Sequence, residues 1–354
     1  MSLTIHMMTA ALAPGDAIGN YIAALHRILR EWGCTLHLYA DHVNPGYPLP
    51  HQHSSSYRPT GHDLLWMHYS IYSDNIHIVE HTPDYVILDS HNVSPAWLYH
   101  GYNPQMEWLC EQGERYLTRL AQHVDRAVVH TEYVRHDLRR RGYRILHKIP
   151  LVVDTSRFTG HGDPQWEPLL AQLEYLLFVG RIVPQKNLTL LLDVFAALHR
   201  LRPQIKLFLV GGQALPDYRA ELEAQAERLG ISAAVVFVGK VDQPSTLTSF
   251  FRHARFSMVL SVWESFCVPI VESLYFGTPV LGHNVAPIPE TMGRGGVLLT
   301  GNPDEMAAQI DALWDDTAHY AQLQHAGQQH AQHFTDARLR DSLLHLFHTL
   351  AEAA

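Results

Sequence analysis

The sequence predicts an α/β protein made of two doubly wound halves, each a parallel sheet covered by helices. Three observations carry this. The 354 residues are roughly two to three times the size of a usual single core. Short apolar bursts alternate with helical or turn-rich segments, the pattern of β–α–β units. The alternation loosens near residues 150–158, passes the turn formers Thr159-Gly-His-Gly-Asp-Pro164, and then restarts.

In the first half, strands are expected at 3–8, 35–39, 64–68, 85–88 and 128–131, with helices over 20–32, 105–123 and 132–141. In the second, strands at 175–179, 206–210, 235–238, 257–260 and 279–282 alternate with helices at 188–201, 217–229, 246–252 and 269–276. The remainder, 306–333 and 337–351, reads as helical with no strand after it. This divides the chain into a first domain of residues 1–158, a linker of 159–172, a second domain of 173–333 and a final helix within 334–354. Ligands of such sheets bind beyond the carboxyl ends of the strands.

Composition excludes several classes of function. Apolar residues make up 47% and charged residues 17%, enough to bury large cores and too few charges for a disordered chain. The net charge of −9 provides no global basic field, so no nucleic-acid partner is expected. Cys34, Cys110 and Cys267 lie far apart and form no CxxC pair, which fits a reducing, cytoplasmic compartment. The amino terminus has no Lys or Arg before its apolar run and reads as a first strand, not as a secretion signal. No uncharged apolar stretch approaches the ~18 residues of a spanning helix. The 26 histidines show no HExxH and no Cys/His cluster of zinc spacing, so scattered histidines and no metal are expected. Residues 115–148 hold nine basic and three acidic residues. That segment is either a solvated helical face or a contact for anionic lipid, at ~1 kcal/mol per basic residue.

Two acids, Glu264 and Glu272, are eight residues apart. On a helix that is ~12 Å of rise, whereas a retaining glycosidase holds its carboxyls ~5 Å apart. Each is therefore expected to accept hydrogen bonds from a different hydroxyl-bearing group, as the ribose and hexose of a nucleotide sugar would offer. Between them a diphosphate needs positive charge. Arg181 and Lys186 supply two cations at a strand end, and the amides of Phe266, Cys267 and Val268 open the following helix. Gly15 and Asp16 lie in a loop between the first strand and its helix, whose amides are also expected to approach a phosphate. His68, Ser70 and His91 stand at strand ends of the first half.

Taken in order, Val179-Gly-Arg181 with Lys186-Asn187, Val236-Phe-Val-Gly239, Glu264-Ser-Phe with Glu272 as an E-x7-E pair, Gly277-Thr-Pro-Val280 and Pro289-Glu290 form a set. It resembles the retaining nucleotide-sugar glycosyltransferases of family 4 (glycosyl transferases group 1). Pro150-Leu-Val-Val-Asp154 with Arg157-Phe158 is similar to that family's inter-domain segment. The resemblance covers roughly residues 145–330, and the first half matches more loosely through its glycine loop, His68 and His91.

The resemblance implies the GT-B fold, two Rossmann-like domains facing a central cleft, with the first domain on the acceptor side and residues 334–354 packing back on it. It implies that Arg181 and Lys186 bind the donor diphosphate, Glu272 the ribose and Glu264 a sugar hydroxyl. Gly239, Lys240 and Val241 are expected at the base, Ser265, Phe266, Cys267 and Val268 along the donor, and Gly15 and Asp16 near the β-phosphate. His91 is expected near the anomeric carbon, with His68 and Ser70 on the acceptor side. The activity implied is a metal-independent transfer of a hexose, with retention, to a carbohydrate or lipid-linked glycan. The Pro-Ile-Pro-Glu290 variant is similar to that of mannosyltransferases, which favours GDP-mannose over UDP-hexoses. If the basic segment 115–148 is not simply a solvated face, it is where a peripheral membrane contact is expected.

Three features depart from the family pattern. The usual Glu-Gly-Phe-Gly is Glu264-Ser-Phe-Cys267, a Gly-Gly pair is replaced within Asn284-Val-Ala-Pro-Ile-Pro289, and the amino-terminal loop lacks adjacent glycines. Alternatives are a nucleotide-sugar epimerase or phosphorylase on the same plan, or a non-catalytic nucleotide-sugar-binding subunit.

Overall fold

Runs such as Leu64–Tyr69 are buried at every position, which a strand sustains only where helices cover both faces of its sheet. A computed structural model describes residues 3–158, 160–213 and 215–352. Met1 and Ser2 of the expected first strand region, Thr159 of the turn-rich stretch, Ala214, and Ala353 and Ala354 of the final segment lie outside the described residues.

The chain forms two compact units, one running to Asp154 and taking in the residues from Phe334 on, the other Thr155–His333. The first holds strands β1 (Thr4–Leu12), β2 (Thr35–Val43), β3 (Leu64–Tyr69), β4 (Tyr85–Ser90), β5 (Arg126–Val129) and β6 (Leu146–Lys148). Its helices are α1 (Ala17–Glu31), α2 (Ile76–His81), α3 (Pro104–Arg119) and α4 (Glu132–Arg140). All pairs are parallel, in the order β2-β1-β3-β4-β5-β6.

The second unit begins with the short α5 (Glu167–Leu170) and continues through β7 (Tyr175–Val179), α6 (Leu188–Leu201), β8 (Lys206–Val210), α7 (Pro216–Arg228) and β9 (Val235–Gly239). Then come α8 (Pro244–His253), β10 (Phe256–Val259), α9 (Val268–Tyr275), β11 (Val280–His283), α10 (Ile288–Met292), β12 (Gly296–Leu299), α11 (Pro303–Trp314) and α12 (Thr317–Ala331). Its sheet is also parallel, in the order β12-β11-β10-β7-β8-β9. The last helix, α13 (Asp336–Ala351), belongs to the first unit. There the buried Arg126 donates to the Thr349 carbonyl at 2.7 Å, and Arg340 pairs with Glu31 at 2.6 Å.

Several expectations are corrected. β6 and β12 were not expected, because three or four residues are too few to show a period of two. The single helix expected over 306–333 is two, since Asp316 caps α12 by accepting from the His319 amide at 2.9 Å. Residues 160–172, expected as linker, pack on α8. The Asp163 amide donates to Ser249 Oγ at 2.8 Å, and Glu167 accepts from the same hydroxyl at 2.6 Å and faces His253 at 2.8 Å. Among the described residues, no helix is long and apolar enough to cross a membrane.

At the end of β8 the backbone meets the end of β7. The Gly180 amide donates to the Val210 carbonyl at 2.9 Å, and a Cβ on Gly211 would overlap the Gly180 carbonyl oxygen. Gly211→Ala is therefore expected to cost about 1–3 kcal/mol, read as a lower urea midpoint. An unchanged midpoint would contradict this close approach.

Candidate functional site

In the second sheet the strand order reverses between β7 and β10. In sheets of this kind the ligand crevice opens beyond the carboxyl ends of the two strands at such a point. The segment leaving β7 passes Gly180 and Arg181 and makes a helical turn at Pro184–Lys186, while the segment leaving β10 passes Leu260 to Cys267 before α9. Three consecutive residues of the first hold the second. The Gln185 carbonyl accepts from the Val262 amide at 3.0 Å, and its side chain donates to the Trp263 carbonyl at 3.1 Å. Lys186 Nζ donates to Glu264 Oε1 at 2.7 Å, and Asn187 Nδ2 to the Leu260 carbonyl at 3.1 Å. Asn187 stands in the left-handed region (φ 52°), which asparagine tolerates better than most residues.

Glu264 is buried, and its Oε1 also accepts from Ser261 Oγ at 2.7 Å. Burial pulls the Lys186 pKa down, but the Glu264 carboxylate outweighs it and leaves the ammonium above its ordinary value. Lys186 thus stays charged at neutral pH. Burial, followed by the same carboxylate, pushes the Cys267 thiol well up, so it stays protonated and poorly nucleophilic. Cys267 holds a left-handed conformation (φ 73°) at the start of α9, where glycine would stand without strain. The Phe266 carbonyl is fixed by Thr291 Oγ1 at 2.9 Å. No side chain caps α9, but Pro269 carries no N–H and the Ile270 amide donates to the Cys267 carbonyl at 3.0 Å, so of its first three residues Val268 alone has an amide without a partner among the described residues.

Glu272, deeper in α9, is buried and paired with the Arg157 guanidinium. Arg157 lies 4.6 Å over the Phe158 ring, and Phe158 packs edge-on to Phe276 at 5.2 Å. Burial raises the Glu272 pKa, and Arg157 opposes the rise. Sequence reasoning gave Arg157 to a connecting segment and missed this partnership. A buried carboxylate needs a cation, and Arg157 is the one the fold brings to Glu272.

Of the other expected donor residues, Arg181 is exposed, close enough for its charge to oppose that of Lys186. The Gly239 carbonyl is occupied by the Gly211 amide at 2.8 Å, and Lys240 pairs with Asp242 at 2.6 Å. Val241 packs on an apolar cluster that includes Phe250 and Phe251. Phe266 is buried, with Ser265 and Val268 half-buried beside it.

In the first unit, Gly15 is exposed in a positive-φ turn (74°). Asp16 is the N-cap of α1, and its carboxylate accepts from the Ile18 and Gly19 amides at 3.2 and 3.3 Å. The Ile18 and Gly19 amides are thus taken by the Asp16 carboxylate, while Gly15 and Asp16, expected near a phosphate, stay at the exposed turn before them. His91, expected near the anomeric carbon, is buried at 6% exposure with its ring nitrogens 3.2 Å from His68 and 3.2 Å from His130. Burial lowers the pKa of His91 well below the ordinary histidine value and that of His68 to about 4. Ser70 is half-buried at the end of β3.

The basic segment 115–148 is largely neutralised. Arg115, Arg119, Arg135, Arg140, Arg141 and Lys148 each face a carboxylate, and Arg126 is buried against α13. Arg139 and Arg144 are its exposed cations without a partner among the described residues.

Residues 167–330 match the family model for glycosyl transferases group 1. Among curated proteins, the D-inositol 3-phosphate glycosyltransferase of Nocardiopsis dassonvillei is 33% identical over 194 residues, 51% of this chain and 44% of that protein. The enzyme of that name from Thermobispora bispora is 33% identical over 189 residues, 49% of this chain and 43% of that one. The chain spans less than half the length of these relatives. Among solved structures, sucrose-phosphate synthase from Thermosynechococcus elongatus superposes with a TM-score of 0.76 at 18% identity, over 99% of this chain and 100% of that chain. Anabaena HepE, solved in complex with UDP and glucose, gives 0.76 at 18% identity over 98% of this chain and 100% of its own. These likenesses show the GT-B fold.

The Arg157–Glu272 pair has a pH signature. With its pKa raised, folded Glu272 holds a proton that the unfolded chain releases just above its ordinary value. Its contribution to stability is complete below the unfolded pKa and is lost as pH rises through the folded one. Arg157→Ala removes the opposing cation, so its loss of stability relative to wild type should be larger at about pH 7.5 than at about pH 4.5. Adding Glu272→Gln should flatten the difference. A penalty independent of pH in urea melts would show that the two side chains are not coupled.

Proposed function

We propose, from the premise that residues 167–330 are a glycosyl transferases group 1 domain, that this chain moves a hexose from a nucleoside diphosphate sugar to a carbohydrate hydroxyl with retention of configuration. The observation that carries this is the junction beyond β7 and β10, where Lys186, fixed on Glu264, stands beside the exposed Arg181. Two buried pairs, Lys186–Glu264 and Arg157–Glu272, cancel their own charge and leave Arg181 in excess. A dianionic diphosphate complements such a site, which is already ordered before the ligand arrives. The E-x7-E spacing supports assignment to family 4, and the UDP complex of HepE supports a nucleotide-sugar donor.

In this reading Glu264 accepts from a hexose hydroxyl through carboxylate capacity that Lys186 and Ser261 leave unused, and Glu272 accepts from the ribose. The bond between C1 of the hexose and the β-phosphate oxygen breaks, its electron pair stays on the diphosphate, and Arg181, Lys186 and the Val268 amide meet the growing charge. The acceptor oxygen attacks C1 on the face the diphosphate leaves, and its proton passes to a phosphate oxygen. No step of this scheme is assigned to His91, whose ring lies in a buried cluster with His68 and His130. The chain has no Asp-x-Asp, and in this scheme the two cations do what a metal does elsewhere at the diphosphate.

Thermal melts with UDP, GDP and ADP identify the base, and the sugars of the best nucleotide then serve as donors for turnover. Arg181→Ala and Lys186→Ala should each lower kcat by about 30-fold or more, as loss of ~2 kcal/mol of leaving-group stabilisation requires. Turnover within about threefold of wild type in both variants would refute this role.

A further inference from the structure

Parallel register in the first sheet gathers side chains that the sequence keeps far apart. His68 on β3 is the partner of Asp89 on β4, and Ser90 is the partner of Val129 on β5, so His91 and His130 come level one residue further on. Asp89 and His91 are two residues apart and share one face of the sheet. His68, Asp89, His91 and His130 are all buried. Tyr21 of α1 closes the cluster, edge-on to the three imidazoles at 5.0 to 6.0 Å.

We propose that His68, Asp89 and His91 form a binding site for a divalent transition metal ion of the zinc class, with His130 as its outer hydrogen-bonding partner. His68 Nδ1 lies 3.2 Å from His91 Nε2 and 3.6 Å from Asp89 Oδ2, and His91 Nε2 lies 3.9 Å from Asp89 Oδ1. A tetrahedral ion with bonds of ~2.0–2.1 Å sets its ligand atoms ~3.3 Å apart. Nitrogen and carboxylate oxygen are the donor set such an ion takes, and three protein ligands leave one position open.

Two further features fit a missing cation. Asp89 Oδ1 is buried with no aligned hydrogen-bond partner among the described residues. Oδ1 lies 3.1 Å from His130 Nε2, and the Tyr21 hydroxyl also faces this carboxylate; an ion at Asp89 would take the place of these weaker contacts. Polar atoms left so in a protein interior are costly unless something else meets them. The outer partner of His91 is also that of a metal-bound imidazole. His130 Nδ1 donates to the Ile149 carbonyl at 2.9 Å, which leaves Nε2 to accept from His91 Nδ1 at 3.2 Å. That tautomer turns the lone pair of His91 Nε2 toward His68 and Asp89. Trp66 Nε1 donates to Asp89 Oδ2 at 3.0 Å and fixes the carboxylate.

A second grouping shows the contrast. His6, Asp63 and Asp84 also lie within reach of one ion. There, however, Asp84 is satisfied by the Thr60 and Gly61 amides at 3.0 and 2.6 Å and by the Tyr57 hydroxyl at 2.6 Å. It has no unmet acceptor to offer.

The test uses the full chain without an affinity tag, stripped with a chelator and titrated with Co2+ and then Zn2+. One equivalent of Co2+ should give the intense visible bands of tetrahedral coordination, displaced by Zn2+. His68→Asn and Asp89→Asn should abolish the bands. His130→Asn should weaken metal affinity about 10–100-fold, and His6→Asn should leave it unchanged. Should the ligand variants fail to fold, the wild-type melt decides, since Zn2+ must raise its midpoint and a chelator must reverse the rise. Three results overturn the proposal: no metal-dependent shift, meaning a cluster held by protons alone; only weakly absorbing, several-fold Co2+ uptake on surface histidines; or equal loss of binding in His6→Asn and His68→Asn. None of these readouts depends on glycosyl transfer, so the site and the proposed activity stand or fall separately.

Discussion

The salt bridge between Lys186 and Glu264 is the constraint on which the second unit's site depends. It joins the segment leaving β7 to the segment leaving β10 at the point where the sheet reverses direction. A buried ion pair of this kind is weak as a source of stability, because desolvation of both charges consumes most of their attraction. Its value lies in position. With Gln185 and Asn187 bonded to the same segment on either side, the ammonium and the carboxylate cannot move independently. A ligand that meets one meets the other in fixed geometry. The Arg157–Glu272 pair repeats the device within α9, with an aromatic stack holding the guanidinium.

The fold was legible because its signals are local and repeated. Each strand of five or more residues announces itself as an apolar run, and each long helix by its period. What stayed hidden was short or non-local. β6 and β12 have three and four residues, below what a period of two can reveal. The cap at Asp316 splits a helical stretch that composition alone cannot divide. The packed segment before β7 looked like a linker because its turn formers, Asp163 among them, are also the residues that bond to α8.

The clustering of the residues at the β7–β10 junction was legible for a related reason. Arg181, Lys186, Glu264 and Glu272 sit at strand ends or in one helix, where chain position already implies place. Their partners were not. Arg157 stands 115 positions from Glu272, and no spacing rule connects them. Cys267 is a different case. It holds a backbone conformation that suits glycine, so the departure from the family's Glu-Gly-Phe-Gly changes the side chain presented there while the fold keeps the turn. The chain's 26 histidines read as scattered because metal motifs are sought within a few residues. Register between neighbouring parallel strands, which no single stretch of sequence displays, is what brings His68, His91 and His130 around Asp89.

The central claim, that the β7–β10 junction is a preorganised diphosphate site, is tested most directly by calorimetric titration of UDP, GDP and ADP against uridine, guanosine and adenosine. The account predicts that the diphosphate of the preferred base binds at least about 30-fold more tightly than its nucleoside, as charge-assisted bonds to Arg181 and Lys186 require. It also predicts that the Arg181→Ala/Lys186→Ala double variant erases the difference. Equal affinity for nucleoside and diphosphate, or a preference that survives in the double variant, would contradict it.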